Sequence, residues 1–105
     1  ALSDGILDTI VSDHRPENIE SHDVEFTLSP YGMSGIESVF AAINTACPEL
    51  ELSRLVDSIS NGTRRIYNIP EIHIEVGAPA KITWFDPNSS FTHPEISGGV
   101  NDPWK

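Results

Sequence analysis

The run Ile6-Leu7-Asp8-Thr9-Ile10-Val11-Ser12 constrains this chain most, because it is apolar and β-branched and ends abruptly in Asp13-His14-Arg15-Pro16-Glu17-Asn18. Such a run is the pattern of a parallel strand covered on both faces, which needs neighbours on either side. No second run of this kind follows within the 105 residues. The missing neighbours are expected upstream. Pro16 cannot donate to a sheet ladder, so the strand ends either in a turn or in a cluster of ionisable groups that does chemistry.

Beyond it, residues 18–32 are polar apart from a short alternation at Val24-Glu25-Phe26, and read as a long connecting loop. Ser34-Gly35-Ile36-Glu37 has capping-box spacing, in which the serine hydroxyl and the glutamate carboxylate each satisfy a free N–H of a first helical turn. Ile36, Val39, Phe40, Ile43 and Cys47 then recur at steps of three and four until Pro48, predicting an amphipathic helix. A second helix is expected from Leu52 to Ser60, with Leu52, Leu55, Val56 and Ile59 on one face and Asn61-Gly62 as a left-handed stop. Thr63 is expected to cap a further single turn through Tyr67.

The period then changes. Ile72, Ile74 and Val76 alternate with acidic residues and His73, Gly77-Ala78-Pro79 breaks the run, and Ala80 to Phe85 resumes it until Asp86-Pro87-Asn88. Two short half-buried strands are predicted, with Trp84 and Phe85 filling a core and a facing surface. From Ser89 onward the chain reads as an irregular tail, with one strand near Phe91.

Composition narrows the function classes. Six basic against sixteen acidic side chains give a net charge of -10, which repels nucleic-acid backbones and anionic lipid. No run approaches the roughly 20 apolar residues of a membrane span, and the first residues lack the pattern of a secretory leader. Cys47 is the sole cysteine, so a reducing, cytoplasmic setting is expected. No nucleic-acid or membrane partner is expected, and a homo-oligomer is left open. One His beside one Asp is far short of a zinc site, and His22, His73 and His93 add no ligand spacing.

Four stretches, in order, carry a resemblance. Asp13-His14-Arg15-Pro16 resembles the Asp-His-x-Pro motif that ends the eighth barrel strand of dihydroorotases. Pro30-Tyr31-Gly32-Met33-Ser34-Gly35-Ile36-Glu37-Ser38 is similar to their Pro-Phe-Gly-Ile-Ser-Gly-Leu-Glu-Thr segment. Leu52 to Val56 with Asn61 to Ile66 looks like the helices that follow their barrel. Gly77 to Pro87 matches their Gly-x-x-Ala-Asp-Leu-x-x-Phe-Asp-Pro strand, with Lys81 replacing an acid.

The resemblance implies an α/β fold: the C-terminal fragment of an amidohydrolase TIM (β/α)8 barrel, normally about 250 residues long. Residues 1–69 would supply the last strand, loop and helices, and residues 70–105 the β-strands of a small β-sandwich domain. It implies a zinc-dependent hydrolase of a cyclic amide in pyrimidine biosynthesis, with most zinc ligands outside this chain. The small-molecule substrate and the remainder of the barrel are the implied partners, and the 105 residues alone would be inactive.

Asp13 takes the position of the catalytic base and metal-site aspartate by this resemblance; on its own terms, an aspartate after a strand and beside proline is most often a turn former or cap. Tyr31 and Gly32 match a pair whose backbone contacts substrate, and equally suit a turn into the helix. Glu17 departs from the family, whose histidine there helps hold the substrate carboxylate; a glutamate would repel it unless protonated or turned away. Arg15 or His14 could supply the missing charge, or simply be solvated. Glu17 also motivates a non-catalytic, structural relative as a rival reading, and allantoinase or dihydropyrimidinase activity as a third.

Overall fold

The computed structural model describes residues 1–90, 92 and 99–103. It falls into two compact units, one made of Ala1–Ile10 with Ile43–Ser89 and the other of Val11–Ala42 with Ser90–Lys105. Four helices form among the described residues: α1 (Ile19–His22), α2 (Val39–Ala46), α3 (Leu52–Ile59) and α4 (Asn61–Ile66).

In the first unit, α3 and α4 carry the packing. Leu55 and Ser58 are fully buried on α3, and Leu55 is the one buried large apolar side chain among the described residues. Val56 and Leu52, expected on the same buried face, sit near the surface. The N-terminal run packs here through polar bonds. The Ile10 N–H and the Thr9 hydroxyl donate to the Ser58 carbonyl at 3.2 and 2.6 Å, and Thr9 pairs with the Thr63 hydroxyl. The Arg54 guanidinium donates to the Leu2 and Leu7 carbonyls at 3.0 and 2.6 Å.

Asn61-Gly62 does not end α3 in a left-handed turn. Ser60 separates the two helices, and Asn61 and Gly62 open α4. Gly62 is needed for closeness instead, since a Cβ there would lie 2.8 Å from the Asp57 carbonyl oxygen and 3.0 Å from that of Asp8. The left-handed residue comes later, at Asn68 (φ 53°) just beyond α4, a position where asparagine can replace the usual glycine.

No strand forms among the described residues. The run 6–12 has no ladder, and Ile6, Leu7 and Val11 are exposed. The segments 72–76 and 80–85 likewise form no ladder, and Trp84 is 96% exposed rather than in a core. Strands of either kind are completed only by neighbours, and the described residues supply none. The Asn61 carboxamide substitutes for one at a single point, donating to the Ile72 carbonyl and accepting the Ile72 N–H, both at 3.0 Å. The turns between these segments do form: Gly77 adopts φ 88°, and the Asp86 carboxylate accepts the Asn88 N–H at 2.9 Å. The expected strand near Phe91 lies outside the described residues.

In the second unit, the expected loop 18–32 contains the one-turn helix α1, capped by the Asn18 side chain, which accepts the Ser21 N–H at 2.8 Å. Asparagine followed by an acidic first turn is an N-terminal signal, and Glu20 supplies that acid. The amphipathic helix expected from Ser34 is assigned only from Val39 and runs to Ala46, its residues from Ile43 onward belonging to the first unit, with the Cys47 N–H still bonded to the Ile43 carbonyl before Pro48.

Candidate functional site

The site is built where the loop bearing Asp13 lies beside the segment 31–36. His14 and Met33 form a parallel bridge, and the Arg15 N–H donates to the Met33 carbonyl at 2.9 Å. This contact spans nearly twenty residues, so the polypeptide between, α1 included, serves to return the chain to the Asp13 loop.

Asp13 stands at the turn itself, with φ 43° and an exposed carboxylate. A left-handed aspartate is tolerated because its short polar side chain can bond locally. Arg15 approaches it, Nε to Oδ1, at 3.9 Å, with both groups in solvent. At that distance and exposure the pairing is weak, so the carboxylate stays open to an incoming group.

His14 turns the other way. Its Nδ1 accepts the Gly35 N–H at 3.1 Å and the Ile36 N–H at 3.3 Å. Both donors are backbone amides, so Nδ1 is the bare nitrogen and Nε2 carries the proton in the neutral ring. These amides precede α2 and would otherwise lack acceptors. The histidine thus does the work expected of the capping box. Ser34 instead donates its hydroxyl and its N–H to Asn101. A charge-supplying role for His14 has this structural role set against it.

Gly32 has φ 131°, and a Cβ there would meet the Arg15 Cβ at 2.6 Å. Both the conformation and the space require glycine at this point. Tyr31 beside it is exposed. Glu17 is half-buried, with its N–H donated to the Asn101 Oδ1 at 2.9 Å and its carbonyl accepting the Val100 N–H at 3.0 Å. Asp13, Glu17, Tyr31 and Gly32 are therefore all held in one unit, on two adjoining segments. Asn101 was not legible as a site residue: it sits in an irregular tail, and no local pattern points from it to partners 67 to 86 residues away.

Among the described residues no three His, Cys, Asp or Glu side chains converge as a metal site. The open Asp13 carboxylate suits one oxygen ligand of a zinc ion, whose other ligands the described residues do not gather around it. His93 lies outside the described residues. A hollow of about 450 Å³ in the first unit, lined by Glu49, Glu51, Arg54 and Asp57 among others, holds none of the motif residues. At its edge the Asp57 carboxylate, with a further contribution from Glu71, holds the Arg65 guanidinium above its usual pKa, a surface ion-pair network without substrate chemistry. No helix among the described residues is long and apolar enough to cross a membrane.

No family model and no solved structure matches the chain. Known proteins do. It is 34% identical over its full length to a dihydroorotase of Anaeromyxobacter dehalogenans, covering 25% of that protein. A dihydroorotase of Pelotomaculum thermopropionicum is 37% identical over 85% of the chain, and one of Syntrophus aciditrophicus 38% identical over 86%, each match covering 22% of the relative. The chain thus spans about a quarter of the length of the relatives it matches. These similarities are to amidohydrolases of the TIM-barrel family. Within that class the chain is dihydroorotase-like throughout and corresponds to the C-terminal portion of such a protein.

Proposed function

We propose that this chain is the C-terminal part of a cytoplasmic, zinc-dependent dihydroorotase that interconverts dihydroorotate and carbamoyl-aspartate in pyrimidine biosynthesis. Residues 1–69 would complete its barrel and residues 70–105 its small sandwich domain, so the exposed runs 6–11 and 72–85 would pair with strands from the rest of the protein. The observation that carries the reading is the bridge between His14 and Met33. It sets an open carboxylate, Asp13, on a loop next to the Tyr31–Gly32 backbone, as a base next to a substrate contact requires.

When bound, zinc would supply a water acidic enough to attack the ring amide carbonyl at neutral pH. Asp13 would contribute one ligand oxygen, accept the proton of the attacking water and hand it to the ring nitrogen as the carbon–nitrogen bond breaks. That leaves a single ring-opened product with a new carboxylic acid, which loses its proton to solvent, at one end of the broken bond and an NH2 group at the other, and Asp13 ionised for the next turnover. The Tyr31 and Gly32 backbone would bind the substrate, which approaches closely because Gly32 has no side chain. Glu17 lies on the same loop and would face the substrate carboxylate unless turned away.

Steady-state assay of the full-length protein and its Asp13→Asn variant against dihydroorotate tests this. Expected is ring opening by the wild type and a fall of kcat by roughly 100- to 10,000-fold in the variant, the usual contribution of a positioned base. An Asp13→Asn variant as active as wild type would refute the assignment. Glu17 favours two further readings, a non-catalytic relative and a hydrolase of an uncharged ring; turnover of allantoin or dihydrouracil without dihydroorotate would select the latter, and loss of all three activities the former.

A further inference from the structure

Asn101 uses the whole hydrogen-bonding capacity of its side chain to tie the two site segments together. Its Oδ1 accepts the Glu17 N–H at 2.9 Å and the Ser34 hydroxyl at 3.4 Å, while Nδ2 donates to the Arg15 carbonyl at 2.8 Å and the Gly32 carbonyl at 3.1 Å. A carboxamide has two N–H donors and two acceptor directions, and all four are engaged. The partners also fix which atom is nitrogen, since a backbone N–H can only donate and a carbonyl can only accept.

The backbone repeats the connection. The Ser34 N–H donates to the Asn101 carbonyl at 3.2 Å, and the Val100 N–H to the Glu17 carbonyl at 3.0 Å. Gly99 is pressed against the Ser34 hydroxyl so closely that a Cβ would have no room, and that Cβ would lie 3.2 Å from the Pro16 Cβ. The tail 99–101 therefore touches both the Asp13 loop and the 32–34 segment.

We propose that Asn101 is a positioning residue for the hydrolytic site, setting the Asp13 loop against the Tyr31–Gly32 backbone. This rests on the reading of Asp13 as the base and of Tyr31–Gly32 as the substrate contact. Asn101 bonds the carbonyls of Arg15 and Gly32, residues two beyond the base and within the substrate pair, so the carboxamide sets the gap between base and substrate. These bonds add to the Arg15–Met33 and His14–Gly35 contacts between the two segments and act next to Gly32 itself, where a misplacement of about 1 Å costs a catalytic site roughly 100-fold in rate.

The test uses the full-length protein with Asn101→Leu, which keeps the shape and removes every side-chain bond. Asn101→Asp keeps the acceptor and sets a carboxylate against two carbonyl oxygens. Asn44→Ala is the control, because it removes a side-chain bond to the Pro87 carbonyl in the other unit. Measured are kcat and KM for dihydroorotate, bound zinc, melting temperature, and hydrogen exchange at the Glu17 amide. Expected is a kcat lowered about 100-fold in Asn101→Leu and less in Asn101→Asp, at unchanged zinc content. Glu17 protection should be lost in Asn101→Leu, and Asn44→Ala with a comparable melting shift should keep its kcat. Unchanged kcat in both Asn101 variants of an active enzyme overturns the proposal alone. So does a kcat that falls equally in Asn44→Ala. Wild-type protein that fails to open dihydroorotate sinks the underlying reading, and the proposal with it.

Discussion

The Nδ1 atom of His14 accepts the Gly35 N–H at 3.1 Å, so the residue next to the candidate base holds the approach to α2. Placing an acceptor there satisfies donors that a helix start leaves orphaned. Gly35 is buried, and water cannot easily replace the lost partner. His14→Ala should therefore destabilise the full-length protein by about 1–3 kcal/mol, the cost of an unsatisfied buried group. Hydrogen exchange at Gly35 and Ile36 should accelerate with it. Unaltered exchange at both amides would show that the histidine is not their acceptor.

Gly32→Ala should harm the site more than its size suggests. The new Cβ would sit 2.6 Å from the Arg15 Cβ at a φ of 131°. Strain of about 1–3 kcal/mol is expected, together with a raised KM as the 31–33 segment moves. Kinetics and urea unfolding of the variant check both effects. A KM equal to wild type would remove Gly32 from the substrate contact.

At Gly62 two effects oppose each other, and their sizes decide the sign. Alanine in a helix is favoured over glycine by about 1 kcal/mol. Here its Cβ would press on the carbonyl oxygens of Asp57 and Asp8, which are backbone and cannot swing away. Overpacking of this kind costs about 1–3 kcal/mol, so Gly62→Ala should be net destabilising in urea titration. A stabilised variant would mean that the helix ends yield freely.

Arg54 is the anchor of the N-terminal run, bridging two carbonyls with one planar fork. A lysine keeps the charge but cannot reach both with that geometry. Arg54→Lys should increase proteolytic cleavage within residues 1–8 in the isolated chain, whereas unchanged cleavage would assign the anchoring to Thr9 and Ile10 alone.

The chain expressed by itself should self-associate. Ile6 and Leu7 in the first unit and Val11 and Ile36 in the second are all exposed, and exposed apolar surface drives association. Sedimentation velocity and dye binding should reveal oligomers with accessible apolar surface. A monomer that melts cooperatively would contradict the need for barrel neighbours.

The sequence by itself determined α3 and much of the punctuation of the chain, whereas α1 lies where the pattern reads as loop, α2 starts later than its pattern and α4 opens on residues that read as a stop. The period of Leu52, Leu55, Val56 and Ile59 marks α3 to within a residue of Leu52–Ile59, and Pro48, Gly77 and Asp86-Pro87-Asn88 break the chain where expected, because local backbone preferences act over a few residues. It also carried the four motifs by which the chain is dihydroorotase-like. Tertiary structure decided the rest. The partner of Ser34 is Asn101 and not Glu37, the cap before α2 is His14, and Gly62 serves close packing rather than a turn. Each is a contact between residues far apart in the chain, or a competition for one donor that local pattern does not rank. That the runs 6–12 and 72–85 form no ladder has the same cause from the other side: a strand's pattern is local, but the hydrogen bonds that make it a strand belong to its neighbours.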